Sequence, residues 1–245
     1  MNELDFTGQR VLVVGGSSGI GNGIAQDFRR RGAAVHVWGT RAAAADYAGV
    51  EGSDLAGLGY TGVDVGDPAA IEAAAPPFDG LDVLVLSQGT VLYKQGEFAR
   101  AGWDRVIAVN LDSVMHCITR FRPQLRERGG RVVIISSVSG FIANRGNPAY
   151  AASKAGAVAL TRTLGEALAP EGIRVNGIAP GLVDTKLTKV TTEHPKRREM
   201  ALASIPLGRM GTPADMAGAA AFLASPLSSY VVGQTLIVDG GLILS

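Results

Sequence analysis

The sequence predicts an α/β fold built on a doubly wound parallel sheet, and three observations predict it. Short Val, Ile and Leu runs without polar alternation recur along the chain, as they do in strands buried on both faces. Helical patterns lie between them, so the strands are joined by crossovers of the right-handed βαβ kind. The first strand enters the first helix through a glycine-rich turn, Gly15-Gly-Ser-Ser-Gly19-Ile-Gly21. In such sheets, ligands collect beyond the carboxyl ends of the strands where the strand order reverses.

The elements follow in order. Strand 10–14 leads to a helix over 19–31 that stops at Gly32, a residue suited to a helix end. Strand 34–38 comes next, and Ala42 to Ala45 reads as a solvated helix start. A weaker strand lies near 59–64, a helix over 68–75, and a strand over 81–86. A long helix over 100–122 precedes strand 131–136. A helix over 150–168 stops before Gly172, and strand 173–179 follows. The segment from Gly181 to Gly211 has no core periodicity and is too long for an ordinary connection, so it is either a partly disordered stretch or, the favoured reading, a substrate lid over about 182–211. Pro213 suits the first turn of a helix over 213–224, and strand 234–238 completes seven. No Pro/Ser/Gly linker interrupts the alternation, so residues 1–245 read as one domain.

Composition narrows the partners. Of 245 residues 47% are hydrophobic, and a formal net charge of +1 provides no basic field for nucleic acid or anionic membrane. The apolar runs fall short of the ~20 residues of a membrane span, and Met1-Asn-Glu-Leu-Asp-Phe lacks the pattern of a signal peptide. A lone cysteine, Cys117, fits a reducing compartment and excludes a Cys-based metal site. A cytoplasmic protein acting on a small molecule is expected.

Glycines between a strand and a helix let the backbone approach a pyrophosphate, which the helix N-terminus attracts. Gly15, Gly19 and Gly21 suit that purpose, and no Gly-Lys-Ser/Thr follows to indicate an NTPase loop. After the second strand a NAD site offers a carboxylate to the ribose hydroxyls. Here the chain reads Val37-Trp38-Gly39-Thr40-Arg41, so Thr40 and Arg41 favour the 2′-phosphate of NADP(H) over NAD through charge-assisted hydrogen bonds.

In Tyr150-Ala-Ala-Ser-Lys154 a phenol and an ammonium share one helix face. Ser137 stands at the end of strand 131–136 and Asn110 lies inside the long helix. Each has an ordinary alternative: a packing tyrosine, a solvated lysine, a capping serine, a buried amide. Together they outline an acid/base centre. His36, His116 and His194 lack ligand spacing and read as structural or solvated, Cys117 as core, and Lys196-Arg197-Arg198 as a solvated face.

These residues resemble the short-chain dehydrogenase/reductases, in particular the group of about this length that includes the β-ketoacyl-carrier-protein reductases. The likeness extends over the whole chain, through Asp64-Val65, Ile173-Arg-Val-Asn176 with Pro180-Gly181, Pro206-Leu-Gly-Arg209 with Gly211, and Gly233-Gln234 with Val238-Asp-Gly-Gly241. It implies a Rossmann domain with strand order 3-2-1-4-5-6-7, an NAD(P)-dependent oxidoreductase of ketones and secondary alcohols, and a homotetramer. Ser17, Ser18, Ile20, Asp64, Val65, Gly89, Pro180, Gly181, Val183 and Thr185 would line the cofactor, Asp64 at the adenine, Thr185 at the carboxamide, and Lys154 at the nicotinamide ribose. Asn110 would hold a water that relays protons. Two departures stand out: Val14 replaces a threonine, and Leu86-Ser87-Gln88-Gly89 replaces Asn-Asn-Ala-Gly, with Gln88 expected to narrow the cleft.

Chemically, Lys154 and the positive charge of oxidised nicotinamide should favour the Tyr150 phenolate, and Ser137 should hold the substrate oxygen. Phe141, Tyr93, Leu182 and Leu187 are expected to make a largely apolar pocket for a neutral ketone or alcohol, with Gln88 beside it. The small residues Ala151, Ala152, Ala155, Gly156, Ala157 and Ala159 allow close helix packing in the assembly. Two rival readings remain: a dinucleotide sensor without catalysis, and a sugar epimerase or dehydratase, whose longer relatives add a C-terminal region.

Overall fold

The computed structural model describes residues 2–244. Its strands are β1 (Arg10–Val14), β2 (Ala34–Gly39), β3 (Gly59–Gly62), β4 (Val83–Leu86), β5 (Arg131–Ile135), β6 (Arg174–Pro180) and β7 (Thr235–Val238). They form one sheet in the order β3-β2-β1-β4-β5-β6-β7, and every pairing is parallel.

Both faces of this sheet are covered, which explains why the strands lack polar alternation. Val11 and Val13 pack with Ile24, Phe28, Met216 and Ala220 on one side. Leu12 and Val14 pack with Trp38, Phe121 and Leu125 on the other. Burying each such Val or Leu fully contributes about 1.5–3 kcal/mol.

The helices are α1 (Gly19–Arg30), α2 (Pro68–Ala73), α3 (Arg100–Ile107), α4 (Ser113–Arg128), α5 (Pro148–Leu168), α6 (Lys189–Thr192), α7 (Pro195–Ala203) and α8 (Pro213–Ala224). Local chemistry fixes their ends. Asp67 accepts from the N–H of Ala69 at 2.9 Å to cap α2, and Thr212 with Asp215 forms a reciprocal capping box on α8. Gly129 and Gly172 take left-handed conformations after α4 and α5.

Three features differ from the sequence reading. The long helix continues to Arg128 through Pro123 and is interrupted by a π-turn at Ala108–Asp112. There the Ser113 hydroxyl donates to the carbonyl of Val109 at 2.6 Å, inserting a side chain into the helical ladder. The helix α5 starts at Pro148, two residues before Tyr150, because proline suits the first turn. The segment 182–211 carries α6 and α7 and is closed at its neck, where Gly211 donates to the Leu182 carbonyl at 2.9 Å and Asp184 donates to Gly211 at 3.0 Å.

Candidate active site

A cleft of about 550 Å³ runs along the carboxyl ends of the strands. Gly15, Ser17, Ser18, Gly19, Ile20 and Gly21 form one wall where β1 turns into α1. Two of its glycines leave no room for a side chain: a Cβ at Gly15 would meet the backbone nitrogen of Gln88 at 2.6 Å, and one at Gly21 would strike the carbonyl oxygen of Gly15. Gly15 also has φ +74, a conformation that favours glycine. Backbone bonds stabilise the turn where Val14 offers no hydroxyl: Gly15 donates to Trp38 at 3.0 Å and Gly16 to Val13 at 3.2 Å. The Gly19 N–H donates to the carbonyl of Gly52 at 2.9 Å.

The end of the cleft beside β2 and β3 is bounded by Gly39, Thr40, Asp64, Val65 and Arg105. No carboxylate follows β2. Arg41 lies beside the lining rather than in it, its guanidinium stacked over the Tyr47 ring at 4.7 Å and bonded to the carbonyl of Asp46. The buried Tyr47 hydroxyl accepts from the N–H groups of Thr40 and Arg41 at 3.2 and 3.3 Å, and so organises that corner. Asp64 pairs with Arg105 at 3.3 Å. Neither Tyr47 nor Arg105 was singled out from sequence, since their partners are brought up by the fold.

Ser137, Tyr150 and Lys154 converge at the other end, with Gly89, Pro180, Gly181, Val183 and Thr185. β5 delivers Ser137, whose hydroxyl accepts from the N–H of Ser139 at 3.1 Å and hydrogen-bonds Tyr150. On α5, Lys154 is buried, with Nζ 5.7 Å from the centre of the Tyr150 ring and donating to the carbonyl of Ile135 at 2.9 Å. Burial lowers the Lys154 pKa to about 8. The Tyr150 phenol, in contrast, is held above its ordinary value, chiefly by burial. The hydrogen bond from Ser137 opposes that rise, while Tyr93 and Glu97 add to it. In the polypeptide alone, burial thus outweighs the lowering expected from Lys154 together with an oxidised nicotinamide.

Several expected residues take other places. Asn110 is buried in the π-turn, where its amide accepts from the N–H of Thr90 at 2.7 Å and donates to the Thr90 carbonyl at 2.9 Å and to Ser153 at 3.2 Å. It clamps the loop that follows Gly89. Gln88 lines the cleft beside Gly15, which its backbone abuts, while its side chain turns into the core to donate to Ser113 at 2.8 Å, leaving Oε1 buried without a partner. Leu182 faces a separate small cleft with Leu207 and Met216, and the bonds that close segment 182–211 at its neck hold it there. Phe141 is 44% exposed and lies outside the lining, on the turn that follows Ser137. Tyr93 and Leu187 do line the cleft and are tied together by a bond from the Tyr93 hydroxyl to the Leu187 carbonyl at 2.8 Å.

Glu97 had no signal in the sequence. It is 1% exposed, and its carboxylate accepts from the N–H of Leu92 at 3.0 Å, Nδ2 of Asn147 at 3.0 Å and the N–H of Tyr150 at 2.9 Å. Among the described residues, no group of three or more His, Cys, Asp or Glu could hold a metal ion, and no helix is long and apolar enough to cross a membrane.

Comparisons with known proteins agree with this geometry. Residues 14–243 match a family described as enoyl-(acyl carrier protein) reductase. The chain is 38% identical to the 3-oxoacyl-(acyl-carrier-protein) reductase of Chlamydia pneumoniae, over 98% of this chain and 99% of that one. A structure assigned to a 2-deoxy-D-gluconate 3-dehydrogenase from Agrobacterium tumefaciens, with bound NADP, superposes with a TM-score of 0.89 at 34% identity, covering 100% of both chains. Another, assigned to an NAD(P)-dependent gluconate 5-dehydrogenase from Beutenbergia cavernae with NADP at low occupancy, gives 0.88 at 37% identity, again over 100% of both.

Proposed function

The chain belongs to the short-chain dehydrogenase/reductases and is an NAD(P)-dependent oxidoreductase of CH–OH and C=O groups, and we propose that it reduces a ketone with NADPH, Tyr150 acting as the general acid. The observation that carries this reading is the convergence of Ser137, Tyr150 and Lys154 at one end of a cleft whose other end is a glycine cradle. An intact acid/base set has no use in a mere sensor.

The cradle fits a dinucleotide. Gly15, Gly21 and Gly39 leave no room for a Cβ, the first turn of α1 supplies N–H groups with no partner inside the helix, and Thr40 and Arg41 stand where a carboxylate would repel a 2′-phosphate. NADP(H) is therefore favoured, as it is bound in two of the structural relatives. When bound, it supplies or accepts the hydride.

The protein's own residues manage the oxygen and the proton. The Ser137 hydroxyl accepts from the Ser139 N–H, and its proton, directed at Tyr150 in the polypeptide alone, turns to the substrate oxygen to stabilise developing charge. Tyr150 delivers its proton to that oxygen during reduction and takes it back during oxidation. Lys154, anchored on Ile135, keeps a positive group beside the phenol ring as phenolate forms. Because both Asn110 amide donors are engaged, the proton-relaying water falls to the main-chain carbonyls that the π-turn frees from regular pairing.

The substrate enters between Thr90, Tyr93 and the lid, where Leu187 and Lys186 line the mouth. A homotetramer is supported by the exposed Ala152, Ala155 and Ala159 on α5 and the exposed Leu236 and Ile237 on edge strand β7; light scattering at the mass of a single chain would refute it. A cytoplasmic location is supported by the lone cysteine, Cys117, which lies buried. The function is tested by following NADPH and, separately, NADH absorbance with a panel of ketones, keto sugar acids and ketoacyl thioesters. Consumption of NADPH is expected; no consumption with any substrate class would count against the assignment.

A further inference from the structure

The loop from Thr90 to Glu97 walls the substrate end of the cleft, and its backbone is strained. Lys94 and Gln95 are consecutive non-glycine residues with φ +56 and +60, a conformation that is costly for such residues and persists only where surroundings enforce it. Buried polar side chains hold both ends of the loop. Asn110 clamps Thr90 at one end. At the other, the Glu97 carboxylate binds Leu92 of the same loop together with Asn147 and the main-chain N–H of Tyr150.

The placement on α5 is unusual. Asn147 occupies the N-cap position but makes no capping bond with its own side chain, which instead reaches Leu92 and Glu97. The third residue of the helix is Tyr150, and its orphan N–H goes to a carboxylate 53 residues away in sequence. A buried anion against a helix N-terminus is favourable, and here it fixes the residue that carries the phenol.

We propose that Glu97 is a positioning residue for the acid/base chemistry: it pins Tyr150 and the substrate-facing loop to each other, so that the phenol and the pocket wall keep one register. This rests on the assignment of Tyr150 as acid/base. Because the carboxylate is buried near the phenol, it also sets the pH at which Tyr150 ionises. The titratable groups facing that phenol are Tyr93 and Glu97 from the loop and Lys154 from α5.

The test avoids dependence on turnover. Phenol ionisation is followed by ultraviolet difference absorbance on the full chain with NADP⁺ added, with Tyr150→Phe subtracted to isolate the Tyr150 signal. In Glu97→Gln the Tyr150 transition is expected to move to lower pH by about half a pH unit or more, whereas Glu97→Asp, which keeps the charge, should stay near the parent. An unchanged transition in Glu97→Gln overturns the proposal even if the variant melts earlier, since that is what a purely structural carboxylate would give. If Glu97→Gln does not fold, amide hydrogen exchange of the parent protein decides. A protected Tyr150 N–H is expected, and one that exchanges as freely as an uncapped first-turn amide overturns it. An inactive enzyme with a normal Glu97 effect on the phenol would count only against the assigned function.

Discussion

The Lys154 ammonium donates to the main-chain carbonyl of Ile135 at 2.9 Å, so the lysine of the catalytic helix is bolted to the end of β5, two residues before Ser137. One strand end thus sets the positions of both the serine and the lysine. The buried ammonium has a pKa of about 8 against an ordinary 10.5.

Between those two values the unfolded chain holds more protons than the folded one, so stability should rise with pH from about 8 to 10.5, and the buried charge is a cost below 8. Lys154→Met should therefore be more stable than the parent at pH 7, by about 2–3 kcal/mol at most, while losing activity. Thermal melts at pH 7 check this; a clear drop in Tm would contradict it.

At the cofactor end, Arg41→Ala removes the cation stacked on Tyr47 at 4.7 Å. NADPH KM is expected to rise about 10–100-fold, the equivalent of one charge-assisted hydrogen bond, with NADH changed by less than about 3-fold. Equal losses with both cofactors would place Arg41 outside the 2′-phosphate site.

Glycines in the cradle should separate into two kinds. A Cβ at Gly21 collides with the rigid backbone of Gly15, so Gly21→Ala should lower both Tm and NADPH affinity. At Gly89 the nearest atoms would be Lys154 Nζ at 3.6 Å and Asn110 Oδ1 at 3.7 Å, ordinary contacts. Gly89→Ala should fold normally and lose NADPH affinity, as isothermal titration beside thermal melts would read.

Gln88 provides a stability contrast. Its Oε1 is buried without a partner and its Nε2 depends on Ser113. Ser113→Ala should cost about 1–3 kcal/mol by leaving that amide wholly unpaired, whereas Gln88→Met should be neutral or stabilising within about 1 kcal/mol. Chemical denaturation of the two variants measures the difference.

The strands and the glycine turn were legible because their physics is local: unbroken Val and Ile runs mark two-sided burial, and β1 leads straight into α1. Tyr150 and Lys154 were legible as a helical pair, and Ser137 as a strand-end hydroxyl. The π-turn was not, because it arises where Ser113 bonds Val109 and where Asn110 is drawn to Thr90 and Ser153 from other elements. Glu97 carries no signal in the sequence, since Leu92, Asn147 and Tyr150 assemble around it only in the folded chain. Leu182 and Phe141 were assigned to the pocket from their nearness to motifs, but the neck of the lid and the turn after Ser137 point them elsewhere.

Proton transfer by Tyr150 is read from the turnover of Tyr150→Phe, with NADPH binding measured on the same preparation. A loss of about 10²–10⁴-fold in turnover with NADPH affinity kept is expected; turnover near the parent level would refute Tyr150 as the general acid.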